Sequence, residues 1–163
     1  MVGGVLISLR VVGAAKRILA LLVYAIVAGA LVGLVLHTWL GILTNDLTLN
    51  PAGLGVAMLT TAATVVGLHG LLGSPEIIVG AVITMLVANP LSGAALPYQF
   101  YPEPWGAIGQ YFVPGAASAL MRELSYFPDA DSTQHRLTLG AWAVGGLLLV
   151  AVGHFRGART VVD

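Results

Sequence analysis

Cysteine is absent from the 163 residues. Its absence removes disulfides, thiol nucleophiles, iron–sulfur clusters and cysteine-ligated zinc together. Charge is scarce as well. Seven Lys and Arg balance seven Asp and Glu, and charged residues make up 9% of the chain, far below the roughly 25% of soluble domains. A net charge of zero offers no basic surface for nucleic acid. No glycine-rich phosphate loop occurs, so the chain does not hydrolyse ATP by itself. His37, His135 and His154 have no neighbours at metal-ligand spacing, and Ser118 has no base within sequence reach. Neither a catalytic constellation nor a metal or cofactor site is therefore expected, and the composition reads against an enzyme.

What the chain has instead is apolar length. Hydrophobic residues make up 58% of it, and the mean hydropathy is +0.93. Four runs, at about 18–36, 52–73, 77–96 and 137–153, contain no Asp, Glu, Lys or Arg. A helix rising about 1.5 Å per residue needs roughly 20 apolar residues to cross a hydrocarbon core about 30 Å thick. A soluble helix would carry a charged face, and these runs have none. The expectation is an all-α membrane protein forming one transmembrane domain. Its four transmembrane helices are placed at about 18–38, 52–73, 76–96 and 137–155. The first run is too long for the apolar region of a signal peptide, so it is read as a retained helix.

The few charges orient the bundle. Arg10, Lys16 and Arg17 precede the first run, and Arg156 and Arg159 follow the fourth. With four spans these five cations share a side, leaving Arg122 and Arg136 on the other. The positive-inside rule then places both termini in the cytoplasm of a multi-pass cell-membrane protein. Residues 41–50 become an outer turn, 74–76 a tight inner turn, and 97–136 a long outer connection. Asn50-Pro51 and Ser74-Pro75 open the second and third helices, because proline is tolerated where its missing N–H would be unpaired anyway. Trp39 and Trp142, near the outer ends of the first and fourth helices, suit interfacial anchors.

The outer connection is too aromatic for a solvated loop. Asn89-Pro90 interrupts the third helix, and five further prolines punctuate residues 97–128. Tyr98, Phe100, Tyr101, Trp105, Tyr111, Phe112, Tyr126 and Phe127 all lie in this stretch. An aromatic belt packed on the bilayer surface would account for them. The stronger expectation is a re-entrant helical hairpin on the outer side, between helices three and four, over about 98–127. Its two short helices would lie around 105–112 and 115–124. Irregular backbone at such depth is tolerated only where protein or a wet cavity covers it.

The stretch NPLSGAALPYQFYPEPWGAIGQYFVPGAASALMRELSYF resembles the C-terminal part of type-2 ABC exporter membrane subunits, closest to the YhgE/Pip group. Asn89-Pro90, the PEPW run ending at Trp105, Pro114-Gly115, Arg122 and Tyr126-Phe127 carry the resemblance, and Glu123, which closes the re-entrant segment with Arg122, is a further candidate functional residue. In those exporters the fifth helix ends in a proline-broken segment, two short outer-leaflet helices follow, and a sixth helix returns to the cytoplasm. The likeness spans about residues 9–153 and matches the four helices here to the family's last four. Residues 2–9 then correspond to the end of a preceding helix, and the chain reads as a fragment, a split gene or a shortened paralogue. The resemblance implies a permease-like subunit that moves a hydrophobic or cell-envelope substrate outward. A separate cytoplasmic ATPase would drive it and would meet the chain near residues 8–17. It also leaves open a non-transporting membrane scaffold of YhgE/Pip type.

Within the helices, Gly29 and Gly33 form a Gly-x-x-x-Gly pair, and Gly67, Gly70 and Gly73 mark close approach in the second helix. Small residues let helices adhere in lipid, where apolar burial gives little drive. These glycines are candidates for packing within the bundle. They are also the candidate face for a homo- or hetero-oligomer with another membrane subunit. Thr60, Thr61 and Thr64 are expected to bond to carbonyls one turn back. His69, an ionisable group within a span, is a functional candidate, although a neutral ring held by a neighbouring carbonyl is favoured. Arg122 is expected to hold lipid phosphate, to pair with Glu103 or Asp129, or to snorkel to the interface.

Overall fold

A computed structural model describes residues 2–72, 83–94 and 96–159, with side chains described except at 70–85 and beyond 153. Helix α1 spans Val2–Arg10, α2 Ala14–Leu34 and α3 Leu49–Leu72. Two short helices, α4 at Trp105–Gly109 and α5 at Val113–Tyr126, precede the long α6 at Thr133–Arg159. No strand occurs among the described residues. Among the described residues, three segments are long and apolar enough to cross a membrane: Ala14–Trp39, Leu49–His69 and Thr133–Gly153. The chain is a multi-pass membrane protein with an all-helical fold.

The helix ends follow from local chemistry. Gly13, at φ +96°, makes the reversal between α1 and α2 in a backbone region open chiefly to glycine. Arg17 reaches back across this turn. Its Nε donates to the Val11 carbonyl at 2.8 Å and its Nη2 to that of Ser8 at 3.1 Å, satisfying carbonyls that the end of α1 leaves open. A π turn, Val35–Trp39, extends α2. Asp46 opens α3, its carboxylate accepting from the Thr48 hydroxyl and amide at 2.6 Å and from the Leu49 amide at 3.0 Å. Pro51 sits in the first turn that follows, as expected from its missing N–H. Asp131 plays the same part for α6, accepting from the Thr133 amide at 3.0 Å.

Helix α3 is the axis of the bundle. It runs antiparallel to α2, with Gly29 against Gly55 and Gly33 against Pro51. It runs parallel to α6, with Thr60 beside Leu139, Ala63 and Thr64 beside Gly146, and Gly67 beside Leu149. Leu21, Ala62, Ala63, Val66 and Val150 form the larger buried cluster. Helix α5 packs along α3 in the reverse direction, from Gly53 to about Leu68. Its Leu124 lies near Gly53, while Val113 and Ala117 lie beside Thr61, Thr64 and Leu68. The start of α2 and the ends of α3 and α6 thus share one end of the bundle, with Arg10, Lys16 and Arg17. Asp46, Glu123 and Asp131 lie at the opposite, acidic end.

Several expectations change. The first and fourth helices begin four residues earlier than the apolar runs, because Lys16, Arg17 and Arg136 are good helix formers that hydropathy excludes. Trp142 consequently lies nine residues into α6, while Trp39 is 82% exposed. The third helix at 76–96 falls partly outside the described residues, as does the turn at 74–76. Its described part is not continuous helix. A π turn at Ile83–Ala88 gives way to a 3-10 turn at Pro90–Ser92 and to a left-handed Gly93.

Candidate functional site

The residues between Ala88 and Tyr126 form the most elaborate part of the molecule. The broken segment 89–93 lies beside α5, and three side chains, two from α5 and that of Gln110 just after α4, turn toward its carbonyls. Arg122 Nη2 donates to Gly93 at 2.9 Å. Ser118 Oγ donates to Ser92 at 3.2 Å, and Gln110 Nε2 to the same oxygen at 3.3 Å. Ser92 Oγ donates in turn to Asn89 at 2.6 Å, and Tyr101 OH to Pro90 at 2.9 Å. Proline and a left-handed glycine break the helical ladder here, and buried carbonyls left without donors are costly. The side chains supply those donors.

Backbone approach on this scale needs glycine. A Cβ at Gly109 would collide with the Leu91 carbonyl oxygen, one at Gly115 with that of Gly109, and one at Gly106 with that of Tyr98. The turn between α4 and α5 is pinned on its other side, where the Trp142 indole donates to Tyr111 at 2.8 Å. Nearer the acidic end, His135 Nδ1 lies 2.9 Å from one Glu123 oxygen and 3.0 Å from the other, joining α5 to α6.

The last turn of α5 is held by the loop after α2. Thr44 Oγ1 donates to Ser125 at 2.6 Å, Asn45 Nδ2 to Leu124 at 3.1 Å, and Tyr126 OH to the Ile42 carbonyl. Asn50, fully buried, links these pieces. It donates to the Thr44 carbonyl at 2.8 Å and accepts from Ser125 Oγ at 3.1 Å. The hydroxyl of Thr48 and the amides of Leu49 and Thr48 hold the Asp46 carboxyl below the usual carboxylate range. The hydroxyl and amide of Thr133 do the same for Asp131.

The sequence candidates distribute unevenly over this geometry. Asn89, Pro90 and Arg122 meet in one network. Of the roles expected for Arg122, the ion pair to Glu103 or Asp129 does not form among the described residues, and Nη2 donates to the Gly93 carbonyl. Glu123 pairs with His135, a contact the sequence reading missed. Pro114 sits in the first turn of α5, and Trp105, 53% exposed, opens α4. Thr60, Thr61 and Thr64 bond one turn back, to Val56, Ala57 and Thr60, and Thr60 also reaches Leu139 on α6 at 3.2 Å. Gly29 and Gly33 pack within the bundle, the first of their two expected roles: Gly55 and Pro51 of α3 cover them, so the second role, a free face for a partner, does not fall to them. Gly67 is covered by α6, and the surroundings of Gly70 lie outside the described residues. Ser92, Gln110 and the glycines at 106 and 109 were not singled out, although the glycine-dense PWGAIGQYFVPG run was the available signal.

Below the hairpin, Thr61, Thr64, Phe112, Pro114, Ala117 and Trp142 help to line an apolar cavity of about 420 Å³ between α3, α5 and α6. Among the described residues no three His, Cys, Asp or Glu side chains gather as a metal site. No family model matches the chain, and neither a curated protein nor a solved structure shows significant similarity to it.

Proposed function

We propose that the chain is a membrane-spanning, permease-like subunit of an ABC-type exporter, moving a hydrophobic or cell-envelope substrate outward with a separate ATPase. In this reading the acidic end faces outward, both termini are cytoplasmic in the cell membrane, and the α4–α5 hairpin re-enters the outer leaflet. One observation carries it. The turn at Tyr111 is bonded to Trp142, nine residues into α6, which at about 1.5 Å per residue puts it roughly 13 Å below the start of that helix. Helix α5 then climbs along α3 to Asn50. A bond that far along α6 supports a hairpin that dips into the leaflet over a belt lying on its surface. The concentration of Arg10, Lys16 and Arg17 at the other end favours the same orientation. A partner membrane subunit would have to use a face other than Gly29 and Gly33.

Everted membrane vesicles test the reading. Vesicles from cells containing the chain should accumulate a fluorescent hydrophobic dye or labelled envelope lipid when ATP is supplied. Vesicles from cells lacking it should not, and a non-hydrolysable nucleotide should abolish the signal. Equal uptake in both would overturn the transport function and favour the non-transporting scaffold. Topology is tested separately, since the chain has no native cysteine. Single cysteines at Asp46 and Asp131 should react with an impermeant reagent in intact cells, and one at Lys16 should not.

A further inference from the structure

The cavity beneath the hairpin has walls from α3, from the first turn of α5, from α6 and from Ala88. Its volume, about 420 Å³, is within the range of small-ligand pockets. No Asp, Glu, Lys, Arg or His lines it among the described residues. The two threonines there offer no free donor, since Thr61 Oγ1 donates to Ala57 at 2.9 Å and Thr64 Oγ1 to Thr60 at 2.8 Å. The Trp142 indole N–H is likewise taken by Tyr111.

Water is a poor occupant of such a space, because each molecule needs two to four polar partners and apolar cavities stay dry. Leaving it empty forfeits the dispersion contacts of every side chain around it. The space sits between two spanning helices, at the level of Thr61 to Leu68 on α3, where hydrocarbon is the surrounding solvent. We propose that the cavity is a binding site for a single acyl chain, seated under Phe112 and Pro114 and against Trp142. The inference rests on the membrane placement of α3 and α6 and not on export. Because chains are so abundant at this depth, close packing is enough to keep the site filled.

Photolabelling of the full chain decides the matter. The protein is reconstituted in vesicles of phosphatidylcholine and phosphatidylglycerol in equal parts, with a trace of phosphatidylcholine bearing a diazirine at the end of one acyl chain. A parallel arm supplies the diazirine on palmitate. Adducts should concentrate on residues 112–117 and on Trp142, in excess of those on the exposed α2 residues Leu19, Val23 and Ile26. Labelling in the phospholipid arm assigns the chain to bilayer lipid, and labelling only in the palmitate arm assigns it to free fatty acid. Ala117→Phe and Ala88→Phe fill the space from different walls and should each reduce the signal to the α2 level, while Thr64→Val should leave it unchanged. Wild-type labelling no greater than that of α2 in either arm, or labelling untouched by both fillings, would overturn the site. The wild-type excess is read without either filling, so a variant that does not fold leaves the test intact.

Discussion

The α2–α3–α6 bundle and the α4–α5 hairpin are held together by different physics. In the bundle the helices satisfy their own backbones, and adhesion comes from close approach at Gly29, Gly33, Gly67 and Gly146. Thr60 supplies a polar link between α3 and α6. In the segment that packs on the hairpin the backbone is broken at Pro90 and Gly93, and hairpin side chains must replace the missing ladder donors. A regular helix in lipid needs small residues, whereas an irregular segment needs small residues and donors together.

Gly109→Ala should separate the two regions most sharply. The new Cβ would strike the Leu91 carbonyl, a backbone atom that cannot step aside, so the cost should reach the upper end of the overpacking range, about 3 kcal/mol. Unfolding in mixed detergent micelles would measure it, and limited proteolysis should find the damage confined to residues 89–126. The paired change Gly29→Leu and Gly33→Leu tests the other region. It should cost about 1–3 kcal/mol by forcing α2 away from Gly55 and Pro51, with the hairpin bonds intact. Loss of hairpin protection in this variant would show that the two regions are one cooperative unit.

Arg122→Leu removes a charged donor from the Gly93 carbonyl and should destabilise by about 1.5–3 kcal/mol. Thr60→Val, which removes a single interhelical bond, should cost only about 0.6 kcal/mol, the average for such bonds in membrane proteins. If the two effects were equal, the distinction between packed and donor-dependent regions would fail.

The smallest effect concerns pH. The carboxyls of Asp46 and Asp131 lie below their ordinary range, so their support for the first turns of α3 and α6 is complete above the unfolded aspartate pKa of about 3.9. It is lost as pH falls through the lower folded-state values. Amide protection factors at Thr48, Leu49 and Thr133 should be flat from about pH 5 to 8 and should fall only in acid well below that.

The spanning helices were legible because lipid selects for apolar length, and hydropathy detects length directly. Their true starts were not, since Lys16, Arg17 and Arg136 continue a helix that hydropathy has already ended. Asp131, two residues before Thr133, was the capping signal for the fourth. In the hairpin, Asn89-Pro90 and the aromatics marked where regular structure stops. The roles of Ser92, Gln110 and Gly109 were not readable, because each depends on a contact with a residue 18 to 26 positions away. Arg122 was noticed for its charge, and sequence cannot show that an arginine will prefer a neutral carbonyl 29 residues back to a nearby acid.

The central place of α3 has a consequence for how the protein is made. The mean hydropathy over 18 residues of its apolar stretch is 1.6, against 2.8 for the stretch that begins with α2, so it has the weaker claim on the bilayer and the greater need of neighbours. α2 is already there when it emerges. The face that meets α6 must wait, because Thr60 and its partner Leu139 are 79 residues apart. At synthesis rates of 5–20 residues per second that interval is roughly 4 to 16 s. For those seconds the small-residue groove at Ala63 and Gly67 has no native helix to receive, and any insertion factor or passing helix of similar shape competes for it.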